Sequence, residues 1–160
     1  MTRLFPHDEV GMVAPPPLIY AAPLLAGWLV DWRWPLRIGG PDSITTRGWI
    51  ANGLIAAGLA IALPAVGWFI RRRTPVIPFT PMTTIVRSGP YRFTRNPMYV
   101  GLTLVTLGLG LMMNTWCPVM FVPIAVAVID RGVIAREEQY MRSKFGAEYD
   151  EFTHRVRRWI

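Results

Sequence analysis

The chain has 160 residues, enough for one domain, and 52% of them are apolar, which is high for a protein that stays in water. Its formal net charge of +7 comes from sixteen arginines and a single lysine, Lys144. One cysteine, Cys117, inside an apolar stretch, and two distant histidines, His7 and His154, argue against disulfides, thiolate clusters and a histidine-based metal site, so no metal is expected.

The charges are segregated. Ala14 to Val30, Gly48 to Ile70 and Asn96 to Ile129 carry none. The middle run gives roughly 34 Å of helix, enough for a hydrocarbon core of about 30 Å. The last run would make about 50 Å of helix, too long for one crossing. It is predicted to be two short spans broken near Asn114-Thr115-Trp116, with Pro118 and Pro123 bending the second. In a soluble protein so basic a balance would suggest nucleic acid. Here the arginines cluster beside the apolar runs, at Arg71-Arg72-Arg73 and at Arg87, Arg92 and Arg95, which is the positive-inside pattern. That places the 71–98 loop and the C-terminal tail in the cytoplasm, and membrane lipids rather than nucleic acid are the expected neighbours.

In chain order, residues 1–13 combine Asp8 and Glu9 with Arg3 and His7 and do not read as a cleaved signal. The first span, Pro17 to Val30, ends at Asp31-Trp-Arg-Trp34, residues suited to the lipid–water interface. A polar loop over 35–47 leads to the second span, Trp49 to Ile70, rich in the small residues that let helices approach closely. Pro75, Pro78 and Pro81 make an extended connector. The third and fourth spans, Met98 to Met113 and Thr115 to Ile129, are joined by so short a turn that they form an antiparallel hairpin. From Asp130 onward charged residues return, and Ile134, Met141 and Phe145 recur at helical spacing. Gly146 then breaks this amphipathic helix, and Tyr149, Phe152 and Val156 continue into a second, folded back on the cytoplasmic face.

Two polar stretches could carry chemistry. One is Arg87-Ser-Gly-Pro-Tyr-Arg-Phe-Thr-Arg-Asn-Pro-Met-Tyr-Val-Gly101, whose prolines push the residues before them out of helical conformation. The other is Arg136-Glu-Glu-Gln-Tyr140, beyond the last span. If the hairpin returns the chain to the cytoplasmic face, the two meet at one depth. They would then line a cavity with arginines, an amide, tyrosines and paired carboxylates. Singly, each has a plainer explanation. The arginines bind anionic head groups, Glu138 and Arg142 make an ordinary i,i+4 pair, Asp130 and Arg131 mark the membrane boundary, and Tyr91 and Tyr99 anchor at the interface.

Taken together, Gly89-Pro-Tyr-Arg-Phe-Thr-Arg-Asn-Pro-Met-Tyr-Val-Gly101, the hairpin after it, Glu137-Glu138, and Phe145-Gly146 with Tyr149 and Val156 resemble the isoprenylcysteine carboxyl methyltransferase family. The related phospholipid N-methyltransferases share the plan. The resemblance covers roughly Thr80 to Ile160. It implies an all-α integral-membrane enzyme with about four transmembrane helices, two N-terminal spans plus a helical hairpin, a cytoplasmic cofactor loop and C-terminal amphipathic helices. One membrane domain over 1–160 would comprise spans in 1–74 and a methyltransferase core in 75–160.

The implied cofactor is S-adenosylmethionine, leaving as S-adenosylhomocysteine, and the implied partner is a lipophilic substrate arriving from the bilayer between spans. Carried over by position, Tyr91, Asn96, Pro97, Tyr99 and Gly101 would line the cofactor pocket, with Glu137 and Glu138 closing it. Arg95 and Arg131 would face the group being methylated, joined by Glu138 as catalytic residue. The family's eukaryotic members usually have histidine where this chain has Asn96, which cannot titrate, and Arg157 stands where a proline is common. A carboxylate acceptor needs an arginine to orient it and no base; an amine must lose a proton, for which Glu138 is the candidate. The carboxylate is the favoured expectation, with amine methylation and a non-catalytic protein binding anionic lipid as alternatives. The compact, arginine-rich chain looks bacterial, which points to the inner membrane with the site facing the cytoplasm.

Overall fold

A computed structural model of the chain describes residues 14–40, 43–71 and 84–160. The N-terminal 1–13 segment, Arg72 and Arg73, the proline connector and the 74/75 boundary lie outside the described residues. Among those described the protein is all-helical, apart from a single bridge between Arg37 and Thr115. Four apolar helices run α1 (Pro16–Arg33), α2 (Ile44–Arg71), α3 (Pro97–Met112) and α4 (Trp116–Ile129). Two amphipathic ones follow, α5 (Ala135–Phe145) and α6 (Ala147–Arg155). By length and composition α2 and the continuous α4–α5 rod can cross a membrane, and α3 is a shorter apolar helix. The break expected near Asn114 is the α3–α4 turn, where Asn114 adopts φ +55°.

Small residues set the packing. α2 lies mainly along α3 and α1 mainly along α4. A Cβ built at Gly101 would stand 2.6 Å from the Gly58 carbonyl oxygen, and one at Gly108 would stand 2.7 Å from that of Ala51. The α2–α3 seam is therefore a backbone-to-backbone contact that no larger residue permits. Across the bundle, the Pro118 ring occupies the space that a side chain at Gly27 would need.

The loop after α1 is tied to the α3–α4 turn. Trp116 N–H donates to the Leu36 carbonyl (2.9 Å), and Asn114 exchanges side-chain hydrogen bonds with Gly39 (3.3 and 3.2 Å). With those two connections at one end, the other end gathers the close of α2, the 89–96 loop, the start of α3 and the passage from α4 into α5. Tyr20 secures α1 there, its hydroxyl lying 2.8 Å from Thr103 Oγ1 and 3.3 Å from the Tyr99 carbonyl oxygen.

Candidate active site

The 89–96 loop buries Tyr91 and Thr94 at this end and leaves Arg92 and Phe93 exposed. Gly89 sits at φ +64° with the Trp68 indole against the face where a Cβ would project, so glycine is required there twice over. A single 3-10 turn, Gly89–Arg92, directs Tyr91 inward onto Phe69 of α2, with ring centroids 5.4 Å apart, while Phe93 faces outward. Burial, followed by the Glu137 charge, pushes the Tyr91 pKa up and keeps its hydroxyl protonated. Pro97 opens α3, where a missing N–H costs nothing, and is fully buried.

Glu137 and Glu138 are consecutive and point to different partners. They come after a π turn, Asp130–Ile134, between α4 and α5. Such a turn adds one residue without adding a turn of helix, so it rotates α5 by about 100° relative to a regular continuation of α4. In the resulting register Glu137 Oε1 accepts from the Tyr99 hydroxyl at 2.9 Å. Glu138, 4% exposed, faces Arg95 and Arg158.

The Glu138 carboxylate takes a two-pronged contact from Arg158: Nε donates to Oε1 at 3.0 Å and Nη2 to Oε2 at 2.6 Å. The same guanidinium reaches Asp130 through Nη1, at 3.3 Å from each oxygen, and Trp159 Nε1 donates to Asp130 at 2.9 Å. Hydrogen bonding to Glu138, outweighing burial, pushes the Arg158 pKa further up. From the other side Arg95 Nη1 lies 3.0 Å from Glu138 Oε1. This is proximity of charge rather than an aligned hydrogen bond, because Nη1 and Nε are buried and make none.

These groups border a cavity of about 60 Å³ whose lining includes Tyr91, Arg95, Asn96, Glu137, Glu138 and Tyr149, with Phe69, Met141 and Phe152 as its apolar wall. Tyr149 is buried from α6; desolvation and then the Glu138 charge push its pKa up, with Arg95 pulling the other way.

Five of the residues singled out from sequence thus share one lining: Tyr91, Arg95, Asn96, Glu137 and Glu138. Tyr99 acts through its bond to Glu137, and Pro97 is buried where α3 begins. Gly101, expected in the pocket, is instead in the α2–α3 seam, because the second helix approaches that face of α3 too closely for a ligand. Arg131 is exposed and is not among the lining residues, since it falls within the π turn, on a side away from the buried Val133 and Ile134. Sequence reasoning missed Arg158 and Asp130. A lone acid ending a charge-free run and an arginine pair after Val156 were the available signals, but nothing local says that they meet.

The sequence matches the phospholipid methyltransferase family over residues 46–148. An uncharacterised protein of Haemophilus influenzae is 41% identical over 63 residues, covering 39% of this chain and all of that protein. The cobalt-zinc-cadmium resistance protein CzcN of Cupriavidus metallidurans is 32% identical over 114 residues, 68% of this chain, and the match spans about half (49%) of that protein's length. No solved structure matches the chain.

Proposed function

We propose, from the premise that this chain belongs to the phospholipid methyltransferase family, that it moves a methyl group from S-adenosylmethionine to a lipophilic acceptor at the Glu137–Glu138 cavity. The observation that carries this reading is the convergence of Arg95, whose buried Nε and Nη1 have no hydrogen bond, with the Glu137–Glu138 pair in one aromatic-walled cavity. A scaffold that only bound anionic lipid would gain nothing from setting two carboxylates beside its arginine.

The lining suits the cofactor by chemistry. Tyr91, Tyr149 and Phe152 offer faces to a nucleobase, the two carboxylates suit a sulfonium and an ammonium, and the open donors of Arg95 suit a carboxylate. When bound, S-adenosylmethionine supplies an electrophilic methyl group, so the protein's work is alignment and removal of water. Glu138 is already engaged from two sides by guanidinium groups and is poorly placed to serve as a base. This supports an acceptor already ionised at neutral pH, a carboxylate that Arg95 orients. In a second reading the acceptor is an amine, carried on a phospholipid of the kind that the family's description names. Glu137, held by the Tyr99 hydroxyl, is then the proton acceptor.

The arginines Arg71, Arg87, Arg92 and Arg95 flank this end of the bundle and support a cytoplasmic orientation in a bacterial inner membrane. The test is calorimetric titration of nanodisc-embedded protein with S-adenosylmethionine and S-adenosylhomocysteine, repeated on Glu138→Gln. Saturable binding that the substitution weakens is expected, followed by label transfer to lipid acids in preference to amines. Folded wild-type protein that binds neither nucleoside overturns the proposal, and label found on amines decides for the second reading.

A further inference from the structure

The proposed reaction asks the cavity to hold a nucleoside ligand. Sites that bury ligands of that size run to about 300 Å³ or more, against about 60 Å³ here. Part of the lining has to move.

Two features show which part. α6 supplies Tyr149 and Phe152 to the cavity wall; beyond it Val156 leaves the helix in extended conformation, and the 157–159 stretch runs beside the site as a strap. Beyond Val156, whose N–H still bonds back to Phe152 of α6, the strap is anchored on other elements. Arg95 N–H donates to the Arg157 carbonyl at 2.9 Å, and Thr94 Oγ1 and Asn96 Nδ2 donate to the Arg158 carbonyl at 3.1 and 2.9 Å. Arg158 and Trp159 then reach across to Glu138 and Asp130. At the other end of α6, Gly146 sits at φ +52° with no atom within 4 Å of where a Cβ would be, a backbone joint free of side-chain obstruction.

We infer that α6 and the strap form a lid that pivots at Gly146, and that Arg158 latches it shut on Glu138 and Asp130. The inference rests on the cofactor reading above. A sulfonium or ammonium beside Glu138 brings a third positive charge to a carboxylate that already faces two. Arg95, with 13% of its side chain exposed, is walled in by the loop before α3. Arg158, 35% exposed, can turn to water when it leaves the two carboxylates. The arriving cation therefore displaces Arg158 and releases the lid. Apart from the packing of Tyr149, Phe152 and Val156 on Ile85 and Met141, α6 is tied down by exposed pairs such as Arg87–Glu148 and Arg142–Asp150, which add little resistance to that motion.

The experiment tracks hydrogen exchange at the Arg95 amide, whose acceptor is the strap's Arg157 carbonyl, in nanodisc-embedded protein without ligand. Stopped-flow association of S-adenosylhomocysteine is measured on the same samples. In Arg158→Gln both rates rise about tenfold, the effect of losing a charge-assisted hydrogen bond, and Arg158→Lys restores them in part. Asp130→Asn, which leaves the Glu138 pair intact, moves both in the same direction and serves if Arg158→Gln fails to fold. Unchanged Arg95 exchange in the folded variants overturns the latch. Faster exchange with unchanged association overturns the lid as the ligand's route. If the wild type binds no nucleoside, the proposed function fails and the ligand's route with it, while the exchange data still decide whether Arg158 holds the strap.

Discussion

Arg95 and Glu138 meet at 3.0 Å in a nearly dry site, one from the loop before α3 and the other from the helix after α4. Glu138 is also paired with Arg158, so the contact stabilises the junction of the two halves only while the carboxylate is there to face both guanidinium groups.

Breaking the pair and replacing it should therefore have different consequences. Glu138→Ala leaves two guanidinium groups facing an empty position and is expected to lower stability by about 3 kcal/mol. Arg95→Met with Glu138→Met should recover most of that loss while methyl transfer stays absent. Chemical denaturation in detergent, read beside label transfer, separates the two effects. A double variant that recovers activity would remove these residues from the site.

The Tyr99 hydroxyl holds Glu137 in place without being part of the cavity lining. Tyr99→Phe keeps the ring and leaves the buried Glu137 oxygen without that donor, a loss of about 2 kcal/mol. A fall of about thirtyfold in kcat/KM, with a lowered melting temperature, is the expected result, measured by steady-state label transfer and thermal denaturation.

Gly101 separates packing from binding. Gly101→Ala places a methyl group against the Gly58 carbonyl and the Ala62 side chain, and overpacking of this kind costs about 1–3 kcal/mol. The melting temperature should fall while nucleoside affinity of the folded fraction is unchanged. Loss of affinity without loss of stability would return Gly101 to the pocket.

At Gly146 the cost is conformational alone. No neighbour lies within 4 Å of the added carbon, but φ +52° with ψ −127° is a region that other residues avoid. Gly146→Ala should cost about 1–3 kcal/mol and loosen α6 before the rest of the bundle, visible as faster amide exchange confined to residues 147–155.

Much of the fold is legible along the chain because each signal is local. Charge-free runs mark the apolar helices, Pro97 marks the start of α3, and Gly146 marks the break between α5 and α6. The two halves of the site are legible too, since Arg95-Asn96 and Glu137-Glu138 are unusual polar groups beside apolar runs. Gly101 misled because glycine serves equally for a close ligand and a close helix, and neighbouring residues do not distinguish them.

What the sequence by itself determined is the class of protein and the chemical vocabulary of its site: membrane-type helices, arginines, paired carboxylates and aromatic rings. The tertiary structure alone decided which of these meet. The π turn at Asp130–Ile134 sets the rotation of α5 and so gives Glu137 to Tyr99 and Glu138 to the arginines. The strap brings Arg158 to Glu138 and Asp130. Both depend on helical phase and on contacts between distant segments, where one residue more or less turns a side chain by about 100°, and no local pattern of residue types carries that information.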